Sequence, residues 1–421
     1  MLPEICGGDD ADAKNCEEIR LKRLMIMGAA IEQVPGIRKA KEMGYETAVI
    51  DYNANAVGIP LADKFYHVST IDPEGVLDAA RDFHADGFLT LATDLPMRAV
   101  AYASEKMGLP GITRHTALLA TDKGEMIKAL KAHGVETPWF QVADSPEKLK
   151  NIGKEVSYPC IMKPTDNAAS RGVALVHNYV ELMDKYGYSR GQSRSGQVII
   201  EEYMRGPEVS VEMLSWKGEA HVLQITDKIT CGPPHFVEVG HNQPSGLNQE
   251  TKARIRDIAG RAVKALGITA GPAHVELIVT EEGPKIVELG ARLGGDCITS
   301  HLVWLSTGID MVKETIKVLC GEEPNLTKLY EKGASVRFLT SKKYGVLDHV
   351  DGMEAARAVD GVIEVSQIMK PGDVIESVRS SDDRVAYVVT QAETAKESGK
   401  AAKEALEMMD AQVQKREDRG V

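Results

Sequence analysis

The sequence lacks the features of membrane, secreted and nucleic-acid-binding proteins. No apolar run approaches the roughly 18 to 20 residues that cross a bilayer, and no basic run stands out against a net charge of −12 and a pI near 5.5. The six cysteines show no Cys-x-x-Cys spacing, so we expect free thiols in a reducing compartment. These absences argue against nucleic-acid and membrane partners and predict a cytoplasmic protein.

Two common nucleotide-binding motifs are missing as well. The pattern GxxxxGK does not occur, which excludes a Walker A loop. The turn at residues 28–33 follows an apolar strand but lacks the three-glycine fingerprint. The sequence therefore does not support a dinucleotide cofactor.

The length of the chain predicts two or three domains, because 421 residues exceed what one core supports. We expect a disordered leader, an N-terminal α/β domain with a parallel sheet, a second nucleotide-binding domain and a C-terminal α+β lobe, at residues 1–20, 21–112, 113–330 and 331–421. In the lobe we expect helices at 353–358 and 393–414, followed by a frayed tail.

Thr93 and Asp94 follow a predicted strand of the first domain at its carboxyl end. Parallel sheets bind ligands at that edge. Capping of the next helix explains these two residues equally well.

Two glutamates interrupt an apolar hairpin predicted from the sequence. Strands are predicted at residues 274–280 and 285–289, with Glu276 and Glu288 flanked by Val, Leu or Ile. An unpaired buried carboxylate costs several kcal/mol, so we expect a cation between them. Arg292 or a hard divalent ion would serve. The alternative is an ordinary hairpin whose glutamates face water.

Two lysines precede that hairpin in positions that suit phosphate binding. Lys123 opens a predicted helix at 123–133, where its charge opposes the helix dipole and is better explained if it serves an anion. Lys163 ends an apolar strand before a small-residue loop at 166–172, which suits a flap whose N–H groups close over phosphates. A solvated lysine and a mobile surface hairpin are the alternatives.

A strand through Glu201, a short link to Met204 and a strand from Glu208 follow. Adenine requires an apolar slot edged by backbone amides and carbonyls, and a carboxylate suits ribose hydroxyls. The link from Glu201 to Met204 and the carboxylate of Glu208 could supply these groups. Solvated strand residues are the alternative for each glutamate.

The segment 226–247 contains clustered Gly and Pro, which predict an ordered loop without regular structure. Glu238 and His241 lie three residues apart and could meet an amino group. A purely structural loop is one alternative. A zinc site with His235 is another, which we discount because no Cys or further His follows at ligand spacing.

Taken in order, these residues resemble the ATP-grasp ligases over about residues 22–400, and ELGARLGGD resembles the branch that contains the dipeptide-forming L-amino acid ligases. The resemblance implies an ATP-grasp fold of the mixed α/β and α+β class, with a lid at about 135–201. It also implies ATP and Mg²⁺ or Mn²⁺ as cofactors, small-molecule carboxylate and amine substrates, and a homodimer formed through the first domain.

The resemblance also implies a role for each site residue. The nucleotide would be bound by Lys123, Lys163, the flap at 166–173 with Ser170 and Gly172, the backbones of Glu201 and Met204, and Glu208. Glu276 and Glu288 would hold the metal. Arg292 would act on the transferred phosphate and the intermediate, and Lys228 would reach the γ-phosphate. The substrates would be bordered by Glu238, His241, Arg292, Gly295 and Asp296.

Two positions leave questions open. Many members have Asn where this chain has Gly290, so the coordination of a second metal ion is open. Asp296 follows Gly294 and Gly295, where the backbone can approach a ligand closely. Its carboxylate would repel acidic substrates at the edge of the pocket, unless it caps a helix that begins near Ile298.

The implied function is an ADP-forming carboxylate–amine ligase that works through an acyl phosphate and joins amino acids. One alternative is a ligase for a non-amino-acid carboxylate. Another is a non-catalytic nucleotide-binding regulatory protein. Retention of both metal glutamates, both lysines and Arg292 argues against the second alternative.

Overall fold

The computed structural model describes residues 20–167, 171–233, 236–376 and 378–414. The predicted leader up to residue 19, the tail after residue 414, the flap residue Ser170 and His235 lie outside these ranges. Within the described ranges the helices are α1 Val34–Glu42, α2 Pro73–Phe83, α3 Met97–Met107, α4 Arg114–Thr121, α5 Lys123–Ala132, α6 Pro146–Glu155, α7 Tyr179–Gly191, α8 Gln249–Ala265, α9 Val303–Thr307, α10 Met311–Leu319, α11 Met353–Arg357 and α12 Ala395–Glu407.

The strands of the described ranges form four sheets. They are β1 Arg23–Met27, β2 Glu46–Asp51, β3 Lys64–His67, β4 Gly87–Leu89, β5 Phe140–Ala143, β6 Cys160–Pro164, β7 Ala174–Val176, β8 Val198–Glu202, β9 Glu208–Trp216, β10 Glu219–Thr230, β11 Glu238–Gln243, β12 Gly271–Thr280, β13 Gly283–Gly290, β14 Gly333–Leu339, β15 Gly345–Asp351, β16 Val362–Gln367, β17 Val374–Ile375, β18 Ala386–Ala392 and β19 Asp410–Gln414.

The N-terminal sheet is parallel, with strand order β3-β2-β1-β4. Leu24 and Ile26 pack on the side of α1 and α10, whereas Met25 and Met27 pack on the side of α2 and α3. A parallel strand covered on both faces needs apolar residues at successive positions. The continuous apolar run of β1 meets this requirement.

A smaller antiparallel sheet, β5-β8-β6-β7, carries α6 and α7. It spans the region predicted as a lid. Lys163 and Glu201 lie on its neighbouring strands β6 and β8.

The largest sheet is antiparallel, with order β13-β12-β9-β10-β11-β14-β18-β16. Val209, Val211 and Val275 point to a core shared with α8, so the alternating residues of β9 and β12 point to the opposite face. That opposite face carries Glu208, Glu212, His274 and Glu276. Alternation along two strands thus gathers polar side chains on one surface.

The C-terminal strands β14, β16 and β18 extend this same sheet across the predicted boundary at residue 330. The domain limits taken from the sequence stay predictions. No helix among the described residues is both long and apolar enough to cross a membrane. The described cysteines, Cys160, Cys231, Cys297 and Cys320, are free thiols, as expected.

Two predictions of local structure were wrong. Residues 226–230 and 238–243, half of the segment 226–247, are β-strand, because β10 pairs with β9 and β11 pairs with β14. Gly232 and Pro233 lie between these strands, whereas Gly240 lies within β11. The final helix stops at Glu407, and Asp410–Gln414 forms a strand against β15.

Candidate active site

Glu276 and Glu288 are register partners on the adjacent strands β12 and β13. Their side chains are only 21% and 26% exposed. Each binds a different lysine, with Lys228 Nζ 2.7 Å from Glu276 Oε2 and Lys123 Nζ 2.8 Å from Glu288 Oε1. The alternative of an ordinary hairpin with water-facing glutamates is therefore wrong.

Lys123 is buried at the start of α5, so the alternative of a solvated surface lysine is wrong. Its amine donates to the backbone oxygen of Asn167 at 2.6 Å and to Glu288. Burial disfavours the charged amine, but the nearby carboxylates of Glu288, Asp94 and Glu276 outweigh this effect and raise the pKa of Lys123. The amine is therefore held in its cationic form beside Glu276 and Glu288.

Lys163 and Glu201 form a second buried ion pair, with Nζ 2.6 Å from Oε1. The register of β8 sets Glu201 between Phe140 on β5 and Ile161 on β6. Met204 follows the end of β8, and its N–H donates to the backbone oxygen of Glu202 at 3.1 Å. The expected adenine contacts of the Glu201 and Met204 backbones remain a prediction.

Lys228 is the cationic centre of the site, with a side chain only 4% exposed. Its amine lies 2.6 Å from Glu208, 2.7 Å from Glu276 and 3.5 Å from Glu238. Burial opposes the charge, but these carboxylates raise the pKa of Lys228 well above its usual value. Lys228 thus joins the predicted ribose, metal and substrate residues.

His274 and Glu212 complete this network and were not assigned a role from the sequence. His274 lies between Glu212 Oε1 at 2.8 Å and Glu276 Oε1 at 3.2 Å. His274 and Glu212 are also register partners on the adjacent strands β12 and β9. Burial alone would lower its pKa, but Glu212 and Glu276 raise it to about 9. The spacing of His274 and Glu276 on one strand face was the available signal, because residues two apart point the same way.

Arg292 reaches the N-terminal sheet through Asp94. Its Nε and Nη2 donate to the two carboxylate oxygens at 3.1 and 3.3 Å. Helix α3 begins only at Met97, with no side-chain cap. Of the two roles left open for Asp94, the structure thus favours a position in the site over helix capping.

Gly290 is explained by the same ion pair. A Cβ at this position would lie 2.7 Å from Asp94 Oδ1 and 3.1 Å from Arg292 Nε. An Asn at this position would therefore meet the Asp94–Arg292 pair. Gly295 is constrained in a similar way, since a Cβ would lie 3.0 Å from that of Ala92.

Asp296 neither caps a helix nor presents an unpaired acid. Its carboxylate accepts bonds from Arg384 Nη1 at 2.8 Å and Nη2 at 2.6 Å, and His241 Nε2 lies 3.1 Å away. The Arg384 guanidinium and His241 outweigh the effect of burial and hold the pKa of Asp296 well below its usual range. The short π-helix at Ile298–Leu302 has no side-chain cap. The helix-cap reading is wrong, and the place of Asp296 at the substrate edge stays a prediction. The sequence did not indicate its partner, because Arg384 is 88 residues away in the chain.

Glu238 also contacts the C-terminal lobe, since Ser381 Oγ donates to its Oε2 at 3.2 Å. Sequence reasoning missed Ser381 and Arg384 because no local motif surrounds them.

Gly172 lies at φ +80°, in the left-handed region that favours glycine. The roles expected for Gly172 and Ser170 over the phosphates remain predictions.

The charges of the site favour divalent cations. Eight carboxylates face six cationic groups: Asp94, Glu201, Glu208, Glu212, Glu238, Glu276, Glu288 and Asp296 against Lys123, Lys163, Lys228, His274, Arg292 and Arg384. The described residues contain no group of three or more side chains that could hold a metal alone. Mg²⁺ usually binds one or two carboxylates together with phosphate oxygens and water, so Glu276 and Glu288 fit it.

This combination of a large antiparallel sheet, a smaller antiparallel sheet and carboxylates beside buried lysines suits the binding of a nucleotide with a divalent ion. The chain belongs to the ATP-grasp family. Residues 156–300 match the family model of the ATP-grasp domain. Residues 337–414 match the model called L-amino acid ligase C-terminal domain 2.

Similar proteins agree with this assignment. The chain is 30% identical over 347 residues to the uncharacterized protein y4rH of Sinorhizobium fredii, covering 81% of this chain and 68% of that protein. It is 24% identical over 279 residues to the L-arginine-specific L-amino acid ligase of Bacillus subtilis, covering 65% and 67%. The crystal structure of L-amino acid ligase from Bacillus licheniformis superposes with a TM-score of 0.82 at 24% identity, over 94% of this chain and 99% of that one. This last likeness establishes the ATP-grasp fold.

Proposed function

We propose that the chain is an ATP-dependent, ADP-forming ligase that joins the carboxylate of one amino acid to the amine of another. The observation that carries this proposal is the register pairing of Glu276 and Glu288 with Lys123, Lys228 and Arg292 around them. The match of residues 337–414 to an L-amino acid ligase domain supports amino acids as substrates.

In the first step, a substrate carboxylate attacks the γ-phosphorus of ATP, and an acyl phosphate and ADP form. Negative charge develops on the transferred group, and prearranged cations stabilise such charge more than mobile solvent does. Lys123 and Lys163 would bind the phosphates, while Lys228 and Arg292 would face the transferred group. Mg²⁺ held by Glu276 and Glu288 would supply further positive charge when bound.

In the second step, the amine of the other substrate attacks the acyl carbon, the C–N bond forms and phosphate leaves. The amine must be neutral when it attacks, so a base must take a proton from it. Glu238 is suited to this role, because its contact with Lys228 is long, at 3.5 Å. His241 Nε2 lies 3.1 Å from the carboxylate of Asp296 and would position that carboxylate.

The test is ADP and phosphate release by the purified chain with MgATP and mixtures of amino acids, followed by mass analysis of the products. We expect release that depends on amino acids and a product heavier than either substrate. ADP release that occurs only with carboxylates other than amino acids would support a ligase for a non-amino-acid carboxylate. Binding of ATP without release under any mixture would indicate a regulatory protein.

A further inference from the structure

A short segment of the C-terminal lobe, Ser380–Arg384, contacts the site at two functional positions. Ser381 donates to Glu238, and Arg384 binds Asp296. The segment is itself ordered by a capping box in which Ser380 and Asp383 exchange hydrogen bonds. The lobe therefore contributes side chains to the substrate edge of the site.

Arg384 is held rigidly and is only 9% exposed. Its Nε donates to the backbone oxygen of Ser381 at 2.9 Å, and its guanidinium carbon lies 3.9 Å from the centroid of the Phe338 ring. Together with the two bonds to Asp296, these contacts to described residues use three of the five N–H groups that an arginine carries. The other two N–H groups have no partner among the described residues.

The edge of the site alternates in charge from Lys228 through Glu238 and Arg384 to Asp296. Burial opposes the charge of Arg384, but Asp296 and Glu238 outweigh it and raise the pKa of the guanidinium. The acid expected to repel anionic substrates is thus neutralised. Alternating fixed charges complement a zwitterion better than a molecule with one charge.

We infer that Arg384 binds the free α-carboxylate of the amino acid that supplies the amine, while Glu238 faces its amino group. This inference rests on the proposed function. Lys123, Lys228 and Arg292 are assigned to phosphate groups, so the α-carboxylate needs a cation of its own. Arginine suits this purpose because its planar donors match a carboxylate.

The test compares an amino acid with its carboxamide as the amine substrate, at a fixed concentration of the amino acid that is phosphorylated. The probe is the amino acid that gives the largest ADP release with the parent protein, and product mass confirms which partner supplied the amine. We expect Arg384→Met to lower kcat/KM for the amino acid by about 10- to 100-fold, as for the loss of a charged hydrogen bond. The value for the carboxamide should change less than about threefold, within the range of a neutral contact.

Controls separate this role from a structural one. Arg357→Met removes an exposed arginine of the same lobe, which binds Glu354 and the Val365 carbonyl. This variant should leave kcat/KM unchanged for both the amino acid and its carboxamide. The KM for ATP should stay unchanged in both variants. If Arg384→Met does not fold, Arg384→Lys keeps the charge without the planar fork, and its preference for acid over amide should still fall.

The outcomes differ for the two proposals. Equal loss with the amino acid and the carboxamide would overturn the carboxylate role and leave Arg384 as a residue that positions the Asp296 turn. No amino-acid-dependent ADP release by the parent protein would overturn the proposed function, and the inference with it.

Discussion

Glu276 and Glu288 are register partners on β12 and β13, yet each carboxylate binds a lysine from a different part of the chain. Lys228 comes from β10 of the same sheet, and Lys123 comes from α5. Cations thus compensate both carboxylates without a metal. A divalent ion between the glutamates would release the lysines toward phosphate groups and would thereby link metal binding to nucleotide binding.

The first prediction concerns Glu288. Glu288→Gln removes one ligand charge and little volume, so Mg²⁺-dependent ADP release should fall by at least about 100-fold. Loss of a residue that only supports a metal ligand costs about 10- to 100-fold, and loss of the ligand itself should cost more. The measurement is a Mg²⁺ titration of ADP release, with thermal unfolding as the check on folding. Glu282→Gln, an exposed change on the same hairpin, is the matched control. Turnover of Glu288→Gln within twofold of the parent would remove Glu288 from the metal site.

The second prediction concerns Lys228 and divalent ions. Lys228→Met leaves Glu208 and Glu276 without their shared cation, and removal of one partner of a buried ion pair costs about 3–5 kcal/mol. Urea unfolding in a chelator should show this loss, and excess Mg²⁺ should reduce it by replacing the missing charge. Exposed Lys264→Met is the control and should stay within about 0.5 kcal/mol of the parent. A loss unchanged by Mg²⁺ would contradict metal binding at Glu276.

The third prediction is the pH dependence of stability caused by His274. Its pKa is about 9 in the folded chain and about 6.5 when unfolded. A raised folded pKa contributes stability that is complete below pH 6.5 and is lost as the pH rises through 9. The contribution is on the order of 3 kcal/mol.

The free energy of unfolding in a chelator, measured from pH 6 to 10, tests this. The parent should lose stability over that window, and His274→Gln should show a flatter curve. His115→Gln, at an exposed position, should follow the parent. Parallel curves for the parent and His274→Gln would show that the ion pairs of His274 contribute nothing.

The fourth prediction concerns Asp296. Asp296→Asn keeps the size of the side chain but leaves Arg384 without its carboxylate, so unfolding should require on the order of 3 kcal/mol less. Because the folded pKa of Asp296 is depressed, the parent should lose this advantage as the pH falls below about 4, the unfolded value. Exposed Asp78→Asn is the control for losing an acid. Equal stability of Asp296→Asn and the parent at pH 7 would show that the ion pair is energetically neutral.

Much of the fold follows from local pattern. The apolar run of β1, the start of α5 at Lys123 and the hairpin of β12 and β13 were predictable, because burial and capping leave signals within a few residues. The segment 226–247 was misread for the complementary reason. Its Gly and Pro favour a loop locally, but β10 and β11 are held as strands by pairing with β9 and β14, which lie outside the segment.

The features of the site also separate into those that the local sequence indicates and those that depend on tertiary structure. The sequence by itself determined which residue types carry the chemistry, namely two glutamates in an apolar hairpin and lysines at the starts and ends of elements. Only the tertiary structure decided their partners: Lys228 for Glu276, Asp94 for Arg292, and Arg384 for Asp296. An ion pair depends on distances of a few ångströms between side chains, and sheet register and helix packing set those distances between residues that are 48, 198 and 88 positions apart.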